Sequence, residues 1–220
     1  MNGTVILKFL RSLARNNNRE WFEKNRDLYV EAKTEFALIV EAVLRDLEHF
    51  DERLAGLDAK KLPFRIFRDI RFSKDKRPYK TNMGAGFSPN GRLVQEPGYY
   101  LHLEPGNRSF IAGGLYMPDA ANLAKVRQEI DYNGDRLKKI FKGAAFRARF
   151  ADFDDFDKLK TAPKGYAKDH PDIEWLRLKS FIVSAPLTDQ QVSDRRIVAE
   201  VVKGFKAIKP LNDFLVDALA

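Results

Sequence analysis

The sequence predicts a single α+β domain in which a central antiparallel sheet is flanked by N-terminal and C-terminal helices. Apolar residues keep a helical period in the first quarter of the chain and again near its end. Between these stretches lie short segments of period two, which are separated by turn residues and by no helix. Such close spacing favours antiparallel pairing as a meander. No repeat, low-complexity linker or change in composition marks a boundary, so residues 1–220 are expected to form one domain.

Two helices are predicted at the N-terminus. Thr4 can cap a helix over residues 5–14, and the asparagines at 16–18 end it. From residue 21 to about residue 50 the apolar side chains keep helical spacing; the pattern allows a bend near Thr34, but no proline forces one. Asn18 and Arg19 are interpreted as the cap of this second helix, and the alternative is that they line the same site as the basic residues described below.

The remaining elements follow from periodicity, turn residues and prolines. Strands are predicted over residues 64–70, 83–88, 98–104, 109–116 and 181–185. Helices are predicted over residues 118–130, 135–142, 189–208 and 211–219, with Pro210 separating the last two. The stretch 144–170 shows no clear period and is expected to be irregular.

The positive charge of the chain is concentrated in one segment. The 220 residues carry a formal net charge of +8. Residues 60–80, called the basic segment below, hold nine basic residues against only Asp69 and Asp75. The nine are Lys60, Lys61, Arg65, Arg68, Arg71, Lys74, Lys76, Arg77 and Lys80. Charge concentrated in this way indicates an anionic partner that carries phosphate or carboxylate groups.

Composition and spacing exclude several kinds of site. The chain has no cysteine, which excludes disulfides, thiolate metal sites and cysteine nucleophiles. No apolar run approaches the ~18–20 residues that span a bilayer, so a soluble, cytoplasmic protein without a membrane partner is expected. No histidine pair has metal-ligand spacing, and the glycines at 84 and 86 lack the third glycine of a dinucleotide fingerprint. Neither a metal nor a cofactor is therefore expected.

The candidate ligand-binding residues lie in the basic segment. They are Arg65, Arg68, Arg71, Lys76, Tyr79 and Lys80. Arginine binds phosphate and carboxylate groups through paired hydrogen bonds, and lysine binds them as a point charge. Asp69 and Asp75 either pair with the arginines in a structural lattice or orient them around a ligand. Asp69 is expected to orient an arginine, so that Asp69→Asn lowers both stability and ligand binding, by about 3–5 kcal/mol of stability for a fully buried pair.

Two residues are candidate catalytic bases, Asp69 and His102. His102 alternates away from the apolar face of its predicted strand and shares a side with Tyr100 and Glu104. The first and third predicted strands are expected to share one sheet, so that His102 faces the basic segment. The alternative is a hydrogen-bonded or surface histidine, since the sequence shows no known reaction geometry around it.

Three functions remain open, and they use the same basic residues. The first is binding, with or without enzymatic processing, of a small phosphate- or carboxylate-bearing ligand around residues 65–80. The second is a nucleic-acid-binding module in which Tyr79, Tyr99 or Tyr100 offers a stacking surface. The third is a protein-interaction domain for an acidic partner. The interleaved Asp69 and Asp75 favour the first, because carboxylates orient arginines around a pocket but weaken a phosphate-backbone surface. No oligomeric state is predicted.

Several motifs together resemble one known family. The longest is Arg68-Asp69-x-Arg71-Phe72-Ser73-x-Asp75-Lys76-x-Pro78-Tyr79-Lys80-Thr81. The others are Asn18-Arg19-x-Trp21-Phe22, Gly98-Tyr99-Tyr100-Leu101-His102, Gly113-Gly114-Leu115-Tyr116-x-Pro118, Pro163-Lys164-Gly165-Tyr166 and Pro210-Leu211-x-x-Phe214-Leu215. Over nearly the whole chain, this pattern resembles the uncharacterised family called domain of unknown function 2461. The resemblance brings no activity with it.

Overall fold

Four antiparallel strands form the centre of the structure, a computed structural model that describes residues 1–91 and 95–220. The strands are β1 (Met83–Phe87), β2 (Gly98–Leu103), β3 (Ser109–Leu115) and β4 (Phe181–Leu187), in the order β1-β2-β3-β4. Over the described residues there are eight α-helices. They are α1 (Gly3–Arg15), α2 (Arg19–Lys24), α3 (Arg26–Glu48), α4 (Ala120–Lys142), α5 (Ala144–Arg147), α6 (Ile173–Leu176), α7 (Asp189–Ser193) and α8 (Ile197–Leu219). The predicted α+β meander with flanking helices is confirmed.

The first two helices begin at asparagine caps. The Asn2 side chain accepts a hydrogen bond from the Thr4 backbone N–H at 3.2 Å, so α1 is capped by Asn2 and not, as predicted, by Thr4. Asn18 accepts from the Trp21 N–H at 2.9 Å and caps α2, which confirms its interpretation as a cap. Each cap satisfies a backbone donor that has no partner within its helix.

Three helix boundaries differ from those predicted. The long N-terminal helix is divided at Asn25, where the backbone leaves the helical region (φ −115°, ψ 27°), and it continues through Thr34. Residues 120–142 form one helix with a kink at Asn133, where two separate helices were predicted. Pro210 lies inside α8 and does not end it, and the chain breaks earlier, at Asp194. A proline removes one helical hydrogen bond, but α8 is buried along most of its length, and this packing holds it together.

The predicted strand over residues 64–70 does not form. Pro63 pairs with Ala85 of β1, and Phe67 pairs with Tyr79, each as an isolated bridge. The basic segment therefore touches the edge of the sheet and then folds back on itself. Prolines in both arms of this segment lack the N–H group that a continuous ladder requires. Its dense charge also favours solvent over burial in a sheet.

One face of the sheet carries the main core. Tyr99, Leu101 and Leu103 of β2 are fully buried on this side. Helix α8 packs against β3 at close range: a Cβ atom added at Gly113 would lie 2.7 Å from Ile208. Among the described residues, those near 64–82 and near 154–156 rise beside the two edges of the opposite face of the sheet. This uneven covering leaves an open cleft.

None of the helices in the described ranges combines the length and apolar character needed to cross a membrane.

Candidate functional site

The cleft on the open face of the sheet has a volume of about 650 Å³. Its floor consists of residues on all four strands, namely Gly84, Tyr100, Phe110, Ala112, Gly113, Gly114, Ile182 and Ser184. The wall beside β1 consists of Phe64, Lys80 and Asn82. The opposite wall consists of Tyr116, Asp154 and Phe156. The middle of the floor therefore carries small residues, and aromatic rings surround it.

Gly84 determines where the Tyr100 ring can lie. A Cβ atom added at Gly84 would come within 2.5 Å of the Tyr100 hydroxyl oxygen on the neighbouring strand. Gly84 and His102 are register partners across β1 and β2, so the missing side chain leaves space beside the histidine. The Tyr100 hydroxyl occupies that space.

Three side chains on one face of β2 and of the residue that follows it form a continuous hydrogen-bonded row. The Tyr100 hydroxyl lies 3.1 Å from Nδ1 of His102, and Nε2 of His102 lies 3.1 Å from Oε2 of Glu104. Alternate residues of a strand share a face, and this spacing brings the three together. We call this row the Tyr100–His102–Glu104 relay.

The far end of the relay is held by further polar contacts. Glu104 Oε1 accepts a hydrogen bond from the Thr81 hydroxyl at 3.2 Å and pairs with the Arg108 guanidinium at 2.9 Å. The His102 ring stacks on Phe110, with ring centroids 4.5 Å apart. These contacts fix the orientation of both the imidazole and the carboxylate.

Burial sets the protonation states within the relay. It lowers the pKa of His102, an effect that outweighs the opposing attraction of Glu104, and the positive charges of Arg108 and Lys80 lower it further. The imidazole is therefore neutral at neutral pH, with Nε2–H donating to Glu104 and Nδ1 accepting from the phenol. Burial and the charge of Glu104 raise the pKa of Tyr100 to about 12, so this phenol keeps its proton.

A carboxylate lies on the wall opposite Lys80. Asp154 accepts a hydrogen bond from the Ser184 hydroxyl at 3.1 Å, and its backbone N–H donates to Ile182 of β4. Burial raises the pKa of Asp154, and the nearby Asp155 adds to this effect. The cleft thus has a cation on one side and a hydrogen-bond acceptor on the other.

The aspartates of the basic segment pair with its arginines at the protein surface. Asp69 binds Arg71, and Asp75 binds both Arg77 and Arg68, each with a closest distance of 2.7 Å. Hydrogen bonds from Arg71 lower the pKa of Asp69, and hydrogen bonds from Arg77 lower that of Asp75. The Asp69–Arg71 pair is exposed, so the loss of stability that a buried pair would give Asp69→Asn does not apply, because a short charged segment folded back on itself leaves both partners in solvent.

The predicted site residues lie in different places. Lys80 lines the cleft, and His102 lies behind Tyr100. Arg65 is exposed, and Lys76 donates to a backbone carbonyl of the basic segment at 3.1 Å. Of the predicted residues, Lys80 alone lines the cleft, His102 is connected to it through Tyr100, and the other charged ones lie outside it.

Tyr79 belongs to the core. Its ring stacks on Phe22 with centroids 4.0 Å apart, and its backbone is held by both ends of the Asn17 side-chain amide, at 3.0 and 3.1 Å. Tyr79 is buried, so its ring offers no surface to a ligand. It anchors the end of the basic segment next to α2.

Glu104, Asp154 and Ser184 were not predicted as site residues, and Tyr100 was predicted only as a stacking surface for nucleic acid. Tyr100 and Glu104 share a side with His102 in the alternation of the sequence, and that spacing was the available signal. Asp154 and Ser184 gave no such signal, because they reach the cleft only through the pairing of β4 with β3. Within residues 1–91 and 95–220, no group of three or more histidine, aspartate or glutamate side chains is placed to hold a metal ion.

Comparison with known proteins identifies the family. A family model described as "Conserved hypothetical protein (DUF2461)" matches residues 5–214. No curated protein and no solved structure matches the chain. Because the matched region spans nearly all of the 220 residues, the chain belongs to this family.

Proposed function

We propose that the cleft binds a small molecule with a flat apolar body and an anionic phosphate or carboxylate group. The observation that carries this proposal is a concave slot of about 650 Å³ with aromatic walls and a lysine inside it. Ligand sites are typically concave and mostly apolar, with a few polar groups that fix the orientation of the ligand. The proposal keeps the class of ligand predicted from the sequence and moves its site from the arginines to the cleft.

Each wall of the cleft has a distinct part in this proposal. Phe64 and Phe156 lie on opposite walls and would contact a flat body from both sides, and the small floor residues let it approach the sheet. Lys80 attracts the anionic group, and Asp154 accepts a hydrogen bond from a hydroxyl or amine at the other end. A ligand with both groups would bind in one orientation.

The pairing within the basic segment argues against a ligand site there. Asp69 holds two donors of Arg71, from Nε at 3.0 Å and Nη2 at 2.7 Å. Asp75 holds Arg77 through the same two donors. A phosphate would have to displace these carboxylates to form the same paired bonds.

The test uses phenyl phosphate, which combines a flat ring with an anion. At ten times an assumed dissociation constant of about 1 mM, binding stabilises the protein by about 1.4 kcal/mol and raises Tm by about 3–6 °C. Lys80→Met is expected to abolish this shift. Arg71→Met, which removes a cation of the basic segment outside the cleft, is the matched control and should keep it.

Two controls complete the design. Phenol should give a smaller shift than phenyl phosphate, because it lacks the charge that Lys80 attracts. Loss of the shift in Arg71→Met but not in Lys80→Met would move the site to the basic segment. The absence of any shift with phenyl phosphate or with benzoate would contradict the proposal.

One observation favours a second function, nucleic-acid binding by the basic segment. Phe72 is 96% exposed, and the Arg71 guanidinium lies 5.9 Å from the centre of its ring. An exposed aromatic ring among cations is typical of surfaces on which single-stranded bases stack. We rank this function below ligand binding, because Asp69 and Asp75 already neutralise part of the charge.

A further inference from the structure

We propose that the Tyr100–His102–Glu104 relay is a general base that removes a proton from the ligand in the cleft, and hence that the protein is an enzyme. This inference rests on the proposed ligand site, and it assigns a catalytic step to that site. Tyr100 is the catalytic residue in contact with the ligand, and His102 and Glu104 act through it.

The relay runs from the cleft to the surface without a gap. Tyr100 lines the floor of the cleft, and successive contacts of 3.1 Å connect it to His102 and Glu104. Glu104 then pairs at 2.9 Å with Arg108, which is largely exposed. A proton taken from the cleft therefore has an acceptor in His102, and the partly exposed Glu104 carboxylate connects that acceptor to solvent.

The proposed step moves one proton and changes no oxidation state. An acidic O–H or N–H group of the ligand gives its proton to the Tyr100 oxygen. The phenol proton passes at the same time to Nδ1 of His102. The ligand becomes its conjugate base, Tyr100 stays neutral, and the imidazolium is stabilised by the Glu104 carboxylate. The reverse transfer returns the proton to the product.

A second tyrosine on the same strand shows what a purely structural arrangement looks like. Tyr99 points to the opposite face of the sheet, is fully buried, and donates to the Asp51 carboxylate at 2.8 Å. It meets no imidazole there. Tyr100 differs on both points, because it lines the cleft and its partner is an imidazole whose Nδ1 can accept a proton.

The titratable and charged groups around His102 come from three parts of the chain. Tyr100 and Glu104 belong to β2 and its end, Arg108 to the turn before β3, and Lys80 to the end of the basic segment. The neighbouring strands β1 and β3 place two uncharged residues, Gly84 and Phe110, beside the imidazole ring. The two cations oppose protonation of His102 and Glu104 favours it, so the imidazole can accept a proton transiently and release it.

The test uses phenylmethanesulfonyl fluoride, an aromatic electrophile that reports assisted proton removal from a phenol. In the labelling reaction an O–S bond forms at Tyr100, the S–F bond breaks, fluoride leaves, and the phenol proton passes to His102. Peptide mass mapping identifies the labelled tyrosine and its rate. Tyr116, which lines the same cleft and is 47% exposed, and Tyr132, which is 72% exposed, serve as internal references.

We expect Tyr100 to be labelled at least tenfold faster than either reference tyrosine, although it is less exposed. The rate should fall at least tenfold in His102→Gln and several-fold in Glu104→Gln. Its pH profile should show an inflection below about 6.5 that the His102→Gln variant lacks. Phenyl phosphate should protect Tyr100 from the label.

The outcomes separate the two proposals. If phenyl phosphate binds but Tyr100 is labelled no faster than Tyr116, the relay is overturned and the ligand site stands. A Tyr100 rate unchanged in both His102→Gln and Glu104→Gln also overturns the relay. If neither binding nor selective labelling is seen, both proposals fail. The circular dichroism spectrum of each variant checks folding. If His102→Gln does not fold, the labelling rate of Glu104→Gln decides the test.

Discussion

At the scale of single residues, burial separates two aspartates that otherwise have the same chemistry. Asp51 is 1% exposed, accepts the Tyr99 hydroxyl, and binds Arg53 at 2.7 Å and 2.5 Å. Asp69 binds Arg71 in the same two-pronged way but lies in solvent. A buried carboxylate has no water to replace a lost partner, whereas an exposed one does. The buried pair is therefore the one that matters for stability.

The first prediction compares the two aspartates. Asp51→Asn should destabilise the protein by about 3 kcal/mol, the low end of the range for breaking a buried pair, because 23% of the Arg53 side chain remains exposed. Asp69→Asn should leave the urea midpoint unchanged, because solvent screens its pair. Urea unfolding of both variants measures the difference. Equal midpoints for the two would contradict this assignment.

The second prediction concerns the pH dependence of stability at His102. Burial holds its pKa in the folded protein below the unfolded value of about 6.5. The unfolded chain therefore takes up a proton at higher pH than the folded protein does. The stabilising contribution is fully present above about pH 6.5 and is lost as the pH falls towards the folded pKa.

The variant that isolates this effect is His102→Gln. Its free energy of unfolding should decline less than that of the wild-type protein between about pH 6.5 and pH 5, measured by urea unfolding. A steeper decline in the variant would mean that the folded protein favours the protonated imidazole.

At the scale of elements, the contact between α8 and β3 is set by missing side chains. A Cβ atom at Gly113 would lie 2.7 Å from Ile208 of α8 and 2.9 Å from the Gly98 carbonyl of β2. A Cβ atom at Gly204 of α8 would lie 2.0 Å from the end of Ile111. Helix α8 packs this closely against the sheet because both contacting surfaces carry a glycine here. The packing in turn leaves the other face of the sheet free for the cleft.

The third prediction tests that contact. Gly113→Ala should destabilise the protein by about 1–3 kcal/mol, the usual range for overpacking a core. The cost arises because the added methyl group meets the carbonyl of a neighbouring strand, which cannot rotate away as a side chain can. Thermal unfolding measures the effect. A variant as stable as the wild-type protein would show that α8 moves away from β3 at little cost.

At the scale of the whole molecule, the nine basic residues of the basic segment are not equally open to a polyanion. Three arginines of the basic segment, Arg68, Arg71 and Arg77, are engaged by Asp69 and Asp75. Lys80 faces the cleft. Four of the nine basic residues are thus held in internal pairs or in the cleft, which leaves fewer of them for a long polyanion.

The fourth prediction separates the two functions through salt. If the basic segment bound single-stranded DNA with about six phosphate contacts, a plot of log affinity against log salt would have a slope of about −4. We expect weak binding of oligo-dT at physiological salt and a shallower slope. Fluorescence anisotropy measures both quantities. Tight, steeply salt-dependent binding that Phe72→Ala weakens would put nucleic-acid binding ahead of the ligand site.

Local patterns in the sequence determined much of the fold. The turns at residues 88–91 and 104–107 and the period-two segments located β1, β2 and β3 to within a residue or two. The placement of His102 on one side with Tyr100 and Glu104 followed from the same alternation. These features depend on residues a few positions apart, and neighbouring residues interact in nearly every conformation that the chain adopts.

Only the tertiary structure decided which elements cover each face of the sheet and which charged side chains lie close together. Segment 64–70 has the alternation of a strand, yet the chain folds back on itself there, because its charges and the flanking Pro63 and Pro78 prevent continuous pairing. Asp154 and Lys80 lie on opposite walls of one cleft although many residues separate them in the chain. Such contacts depend on the packing of whole elements, in which burial and close approach are balanced over the entire molecule. The alternation of residues along a single strand contains no information about that balance.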